Sequence, residues 1–198
     1  MNNAENIKKE DWVVHPVYNH SDATRFVRCN HYAKGASCTS VYRHGLYTSE
    51  FLPMVADLHG VALWMPPTKN AAMSVAGDDW RNVLCLSRLC VSADVPRCGA
   101  SFLLGRSMAL VDRNRWPILL TYADTRLGHT GTIYKATNWI EIGRTAGAVN
   151  WISKDGVQMG AKRGPKNYTA QEMEGMGFVR QNKEAKIKFV HYAKGYNP

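Results

Sequence analysis

The sequence predicts a mixed α/β fold, a central sheet flanked by helices, and three observations carry that expectation. Residues 83–143 read in turn as strand, helix, strand, helix and strand, an order that builds a sheet with helical crossovers. The strand-like apolar runs are short and bounded by proline, glycine or polar residues. The chain has 198 residues and is 45% hydrophobic, enough for one domain with a covered sheet.

Residues 1–12 read as a loose leader, and Trp12 to Arg28 offers Ser21 and Asp22 as helix starts without strong periodicity. Thr39 to Tyr47 (TSVYRHGLY) and His59 to Met65 (HGVALWM) are β-rich and suited to an antiparallel meander, which Pro66 and Pro67 end. Residues 68–82 combine a helical patch with a turn at Gly77 to Asp79. VLCLSRLCV, Val83 to Val91, reads as a central strand interrupted by Arg88, whose charge needs either a bulge or a ligand. After Pro96 the chain turns through Arg97, Cys98, Gly99 and Ala100 into SFLLGRSMALVDR. There Leu103, Leu104, Met108, Leu110 and Val111 recur at helical spacing, with Ser101 in the first turn.

Ile118 to Tyr122 has the bulk of a buried strand, which places Asp124 at its carboxyl end. Gly128 and Gly131 bracket His129 and Thr130. Thr130 or Thr132 then caps a helix carrying Ile133, Tyr134, Ala136 and Thr137. Ligands of open α/β sheets collect where strand ends meet helix starts, so Asp124, His129, Thr130 and Tyr134 form a candidate site. His129 and Thr130 are candidates for holding a phosphate or a base, against a plain turn with a capping threonine. Beyond Gly143, Ala148 to Ser153 reads as a strand and Lys162 to Lys166 as a basic turn. Thr169 to Met176 reads as a short helix stopped by Gly175 and Gly177, and Lys186 to Tyr192 as a final, partly exposed strand. The organisation expected is a leader and first helical segment (1–28), a core (29–153) and a basic C-terminal segment packing on it (154–198).

The formal net charge is +9, which favours a polyanionic partner. From Lys154 to Pro198 nine Lys or Arg face four acids, with Tyr168, Phe178, Phe189, Tyr192 and Tyr196 interleaved, the combination that phosphate contacts and base stacking use. A solvated basic tail has the same composition. Large aromatics such as Tyr47, Trp64, Trp139 and Trp151 read as core rather than as base-stacking wedges. The five cysteines are odd in number, lack a CxxC pair and read as reduced thiols. Cys29, His31, Cys38 and His44 offer soft ligands for zinc or iron at a spacing that matches no standard zinc module. The polar N-terminus and the lack of a long apolar run predict a cytoplasmic protein that avoids membranes. Monomer and homodimer both stay open.

NHYAKG at Asn30 to Gly35, LSRLCV at Leu86 to Val91, and above all YAD followed by GHTGTIYKATNW resemble the Mom family of phage DNA modification proteins, over roughly residues 28–145. That family is related to the GCN5-like N-acetyltransferases. The resemblance implies a GCN5-like fold and conversion of adenine in double-stranded DNA to N6-carbamoylmethyladenine, which protects phage DNA from restriction in the host cytoplasm. It implies Asp124 as the group that contacts or deprotonates the adenine amine and Tyr134 as the acid that protonates the leaving group. His31 and Tyr32, the HY of the first motif, would approach the same site. Arg88, Arg97, Gly99 and Ser101 fall on the strand and helix start that hold the acyl donor in related acetyltransferases, on amides at a helix N-terminus. There the chain departs from the usual loop. Ala100 stands where the first glycine is expected and Phe102 where a small residue is expected, which weighs against ordinary acetyl-CoA binding.

The product constrains the donor. A carbamoylmethyl group contains a nitrogen that acetyl transfer cannot supply, whereas a glycyl group contains every heavy atom needed. Attack of the glycyl amine on C6 and ring opening would leave the carbamoylmethyl group on the base. An activated glycyl ester such as glycyl-tRNA is therefore an alternative donor to acetyl-CoA, and tRNA a further partner. The competing functions are a GCN5-like N-acetyltransferase acting on a small-molecule or protein amine, and a DNA-binding protein without catalysis.

Overall fold

The computed structural model describes residues 6–32, 39–50, 58–125, 128–146, 149–156, 158–163, 165–182 and 185–196. Two compact units make up the chain, one of residues 1–121, 132–141 and 189–198, the other of residues 122–131 and 142–188.

The elements run β1 (Trp12–Pro16), α1 (His20–Asn30), β2 (Tyr42–Thr48), β3 (Gly60–Met65) and α2 (Lys69–Ala76), which continues into a 3-10 segment (Gly77–Asn82). Next come β4 (Val83–Val91), α3 (Gly99–Leu110), β5 (Ile118–Ala123), α4 (Thr132–Lys135) and β6 (Ile140–Arg144). β7 (Val149–Ile152), β8 (Gln158–Met159), β9 (Lys162–Arg163), β10 (Lys166–Asn167), α5 (Ala170–Gly175), β11 (Val179–Asn182) and β12 (Ile187–Tyr192) complete the chain. A seven-stranded sheet has the order β1-β2-β3-β4-β5-β12-β6. Its first four strands are antiparallel and β4 pairs β5 in parallel. In the second unit β11, β7 and β8 form an antiparallel sheet and β9 pairs β10.

The mixed α/β class, the meander of β2 and β3 and the central position of β4 agree with expectation. The last strand does not: β12 lies between β5 and β6 with Ile187, Phe189 and Val190 buried, because its apolar residues fill an interior position of the sheet. Phe189 is thereby removed from any stacking surface. The first helix starts before Ser21, at His20, since the side chain of Asn19 accepts the Ser21 amide at 3.0 Å and caps it. The leader is engaged as well, Asn6 pairing with Arg97 in an isolated bridge. Thr169 caps α5 in a capping box with Glu172, as the T-x-x-E spacing requires. Among the described residues no helix is long and apolar enough to cross a membrane.

Helices cover both faces of the sheet, and β3 shows how. Its alternate residues Val61 and Leu63 join Ala23 and Val27 of α1 in one buried cluster. The other face meets α3. A Cβ on Gly60 would lie 3.1 Å from Leu103 and 2.9 Å from Val91, so the close approach of α3 requires glycine there. On the same face Trp64 Nε1 donates to Ser107 Oγ at 2.7 Å, and His44 Nδ1 lies 2.7 Å from the same oxygen. All three residues are buried. Tyr47, Trp139 and Trp151 are buried too, as large aromatics usually are.

Ser107 is the single partner joining two buried ring nitrogens, so Ser107→Ala should destabilise the fold by about 2–4 kcal/mol in urea melts, with the m-value unchanged. Burial pushes the His44 imidazole down to about 4. The unfolded chain therefore binds this proton more tightly than the folded one. Stability should be full above pH 6.5 and fall as the pH drops toward 4, by up to about 3 kcal/mol. Urea midpoints across that range should show the loss, and His44→Gln should flatten it.

Candidate functional site

In the first unit the site is organised by the parting of two parallel strands. β4 and β5 pair only through Val83 with Ile118, Leu84 with Leu119, and Cys85 with Leu120. β4 then runs on to Val91 without a β5 partner. At the parting, the buried Thr121 hydroxyl donates to the carbonyl oxygen of Leu86 at 3.3 Å. The opposite edge of β4 carries a bulge, because Leu63 faces Arg88 while Trp64 faces Leu86, leaving Ser87 as the extra residue. The Ser87 hydroxyl donates to the Leu63 carbonyl at 3.0 Å, and Arg88 Nη1 donates to the Ser87 carbonyl at 2.6 Å. The charge in the strand is thus accommodated at a bulge, where it also lies in the field of the thiols of Cys85 and Cys90. Burial pushes both thiols up to about 12, so they stand as neutral SH groups.

Tyr134 stands beside this parting. The expected helix is a single turn, Thr132–Lys135, because the Thr137 hydroxyl donates back to the carbonyl oxygens of Ile133 and Tyr134 and Asn138 takes a left-handed φ of 63°. The Trp139 amide closes that turn onto the Tyr134 carbonyl at 3.0 Å. The phenol ring packs 5.8 Å from Trp139 and 5.2 Å from Phe189, centroid to centroid. Burial raises the Tyr134 phenol above its ordinary pKa, a hydrogen bond with Thr121 pulls it back, and Tyr32 and Cys85 push it up further. Tyr32 is exposed and stacks on His31 at 4.3 Å and 28°, while His31 is buried at the end of α1, where its amide donates to Val27 O. The fold therefore joins the HY pair to Tyr134, residues about a hundred positions apart in sequence. Thr121 and Cys85 are neighbours that sequence reading missed; both sit in plain apolar strands, which carry no signal of a site.

The start of α3 holds the other predicted residues of this unit. A Cβ on Gly99 would fall 2.1 Å from Val95 Cγ1, so only glycine fits. Cys98 precedes it in the left-handed region, at φ 68°. The Ser101 hydroxyl is spent within the turn, donating to the Cys98 carbonyl at 2.8 Å. Arg97 is exposed and its carbonyl accepts the Ile7 amide at 2.9 Å. The amides of the first helical turn point outward, as they do at any helix start, and suit an anion.

Of the proposed soft ligands, Cys38 and the AKG of the first motif lie outside the described residues. Cys29 is exposed and His44 is committed to Ser107. Among the described residues no three His, Cys, Asp or Glu groups cluster as a metal site would require.

The second unit contains Asp124, His129 and Thr130. Asp124 is buried just past the end of β5, and Lys186 Nζ lies 3.7 Å from its Oδ2. Lys186 is held by two bonds with Thr145, its amide donating to Oγ1 at 3.0 Å and its carbonyl accepting the Thr145 amide at 2.9 Å. The Thr125 hydroxyl donates to the Ala185 carbonyl at 2.9 Å, fixing the neighbouring backbone. Lys186 is a site residue that sequence reading overlooked, since one lysine in a basic tail carries no distinguishing mark. His129 and Thr130 are exposed between Gly128 and Gly131, both at positive φ. Removing the cation should expose a cost: Lys186→Met is expected to destabilise the fold by about 1–2 kcal/mol, a value reduced because the lysine is half-exposed. The double variant with Asp124→Asn should recover most of the loss in urea titrations.

The architecture is that of the GCN5-like N-acetyltransferases. A spermidine N-acetyltransferase variant from Vibrio cholerae superposes with a TM-score of 0.52 at 6% identity, covering 93% of this chain and 95% of that one. An acetyltransferase from Bacillus subtilis in complex with CoA gives 0.51 at 5% identity, covering 92% and 99%. An IAA acetyltransferase from Bacillus cereus gives 0.50 at 7%, with coverage of 92% and 99%. At such identities the likeness is one of fold. No curated protein matches in sequence. The sequence pattern of one family does match, and it spans residues 11–194, from the first strand of the sheet to beyond its last: this chain belongs to the Mom protein family.

Proposed function

We propose that this protein transfers an activated acyl group to adenine in double-stranded DNA and so generates N6-carbamoylmethyladenine, a base that restriction enzymes fail to read. The observation that carries this reading is Tyr134, a phenol held beside the parting of β4 and β5 and next to Tyr32, in a chain of the Mom family.

The chemistry asks for three things. The lone pair of the adenine amine is delocalised into the ring, so attack on an acyl carbon needs a proton acceptor, close orientation and a stabilised oxyanion. In this reading Asp124 contacts the amine and takes its proton, and Lys186 keeps the carboxylate fixed. Tyr134 gives its proton to the leaving group; its raised pKa keeps it protonated and competent as an acid at neutral pH. His31 and Tyr32 contact the base or the acyl group, and His129 and Thr130 the DNA phosphate or target base. The net charge of +9 supports a nucleic-acid partner.

The donor supplies an activated carbonyl. Unpaired amides of β4 beyond Cys85 and the amides at the start of α3 suit a coenzyme A thioester, the molecule present in the Bacillus subtilis relative of this fold. The loop before α3 fits it less well, because Ser101 is turned inward and the Arg97 carbonyl is already engaged. An activated glycyl ester such as glycyl-tRNA answers both the altered loop and the nitrogen in the product. Its amine would bond to C6, the C6–N6 bond would break, and the original N6 would remain as the amide nitrogen of the carbamoylmethyl group.

Mass spectrometry of nucleosides from DNA of cells making the protein should show carbamoylmethylated adenine. Tyr134→Phe and Asp124→Ala should each lower its yield by about 100-fold or more without unfolding the chain. An unchanged adenine profile from the unaltered protein would overturn the reading, and acetylation of an added amine in its place would favour an ordinary N-acetyltransferase. Purified protein offered DNA with either acetyl-CoA or glycyl-tRNA decides the donor.

A further inference from the structure

We propose that Thr121 is a positioning residue whose hydroxyl turns between the Leu86 carbonyl and the Tyr134 phenol, so that the strand parting and the acid are set by one side chain. The inference rests on the reading of Tyr134 as the acid.

Three observations meet at this hydroxyl. Thr121 follows Leu120, the last β5 residue paired with β4, and Leu86 follows Cys85, the last β4 residue paired with β5. The side chain of Thr121 takes the Leu86 carbonyl at the first step beyond the ladder. Strand pairing is thereby ended by a side chain, and β4 is free to leave β5. The bond is long for an O–H donor, 3.3 Å against an ordinary distance of about 2.7–2.8 Å, and so is weakly held. The same hydroxyl is in hydrogen-bond contact with Tyr134.

A hydroxyl has one proton to donate and lone pairs with which to accept. While Tyr134 is protonated, Thr121 gives its proton to Leu86 and accepts from the phenol. When Tyr134 passes its proton to the leaving group, the phenolate left behind is a stronger acceptor than a long-bonded carbonyl. Thr121 then rotates about χ1 and donates to the phenolate, and the Leu86 carbonyl gives up its weak bond. No proton is gained or lost by Thr121, and reprotonation of Tyr134 from solvent restores the first arrangement. No other neutral donor takes this part among the described groups facing the phenol. Cys85 and Tyr32 both push the phenol up in pKa, Trp139 and Phe189 meet it through their rings, and the Arg88 charge lies beside Cys85 on β4. Thr121 is buried, so water does not substitute for it.

The test uses the full chain labelled with 13C at the tyrosine Cζ, with Tyr134→Phe to assign the signal. Thr121→Val keeps the shape and removes the hydroxyl, and Thr121→Ser keeps the hydroxyl. The Tyr134 titration should move to higher pH in Thr121→Val and return toward the wild-type midpoint in Thr121→Ser. In the DNA modification assay Thr121→Val should slow turnover by about tenfold with KM for DNA unchanged, and Thr121→Ser should restore it. A Tyr134 midpoint unmoved by Thr121→Val overturns the inference, as does a loss that Thr121→Ser fails to rescue. If the unaltered protein modifies no DNA, the proposed function fails, and the titration still decides whether Thr121 holds the phenol.

Discussion

Three residue pairs between two parallel strands decide where this protein can work. β4 and β5 share hydrogen bonds from Val83 to Cys85 and from Ile118 to Leu120, and then separate. Parallel strands buried on both faces ordinarily continue to pair, because each unpaired amide in the interior carries a cost of desolvation. Here the first carbonyl beyond the ladder is taken by a threonine side chain, and the bulge at Ser87 redirects the other edge of β4. The backbone left over is a natural place for a ligand with carbonyl and amide groups of its own.

Around the parting the packing forms a connected series. Ser107 of α3 binds Trp64 of β3 and His44 of β2. Trp64 stacks with Trp139 at 6.4 Å, and Trp139 donates Nε1 to the sulfur of Met108, one residue after Ser107. Trp139 in turn carries the ring of Tyr134. The phenol is therefore supported by buried aromatic rings tied by hydrogen bonds to a helix of twelve residues, although its own helix is a single turn. A short, polar, glycine-flanked segment can present a side chain accurately when the residue after it is anchored this well. In the second unit the same device appears with charge: two threonines fix the backbone at Ala185 and Lys186, and the lysine meets the buried carboxylate of Asp124.

Much of this was legible in the residues. The mixed α/β class followed from short apolar runs alternating with a helical period over 83–143, and the strands at 83–91 and 118–123 and the helix at 99–110 follow that reading. Asp124, Tyr134, His31 and Tyr32 stood out through motifs. Thr121, Cys85 and Lys186 did not, because strand threonines, apolar-run cysteines and tail lysines are common for reasons unconnected with any site. The helix after Gly131 was overestimated, since its length depends on Thr137 bonding backward and on the left-handed Asn138, neither of which changes the apolar period.

Composition and pattern determined by themselves that this is a basic α/β protein with a polar, glycine-bracketed segment at the end of a buried strand. Those properties depend on period, propensity and charge, which are local. Only tertiary structure decided that β12 enters the sheet between β5 and β6, that β4 and β5 part after three pairs, and that Tyr32 reaches Tyr134 across about a hundred residues of chain. Such outcomes depend on which surfaces exclude water together, and the residues that meet are chosen by the whole fold rather than by their neighbours in sequence.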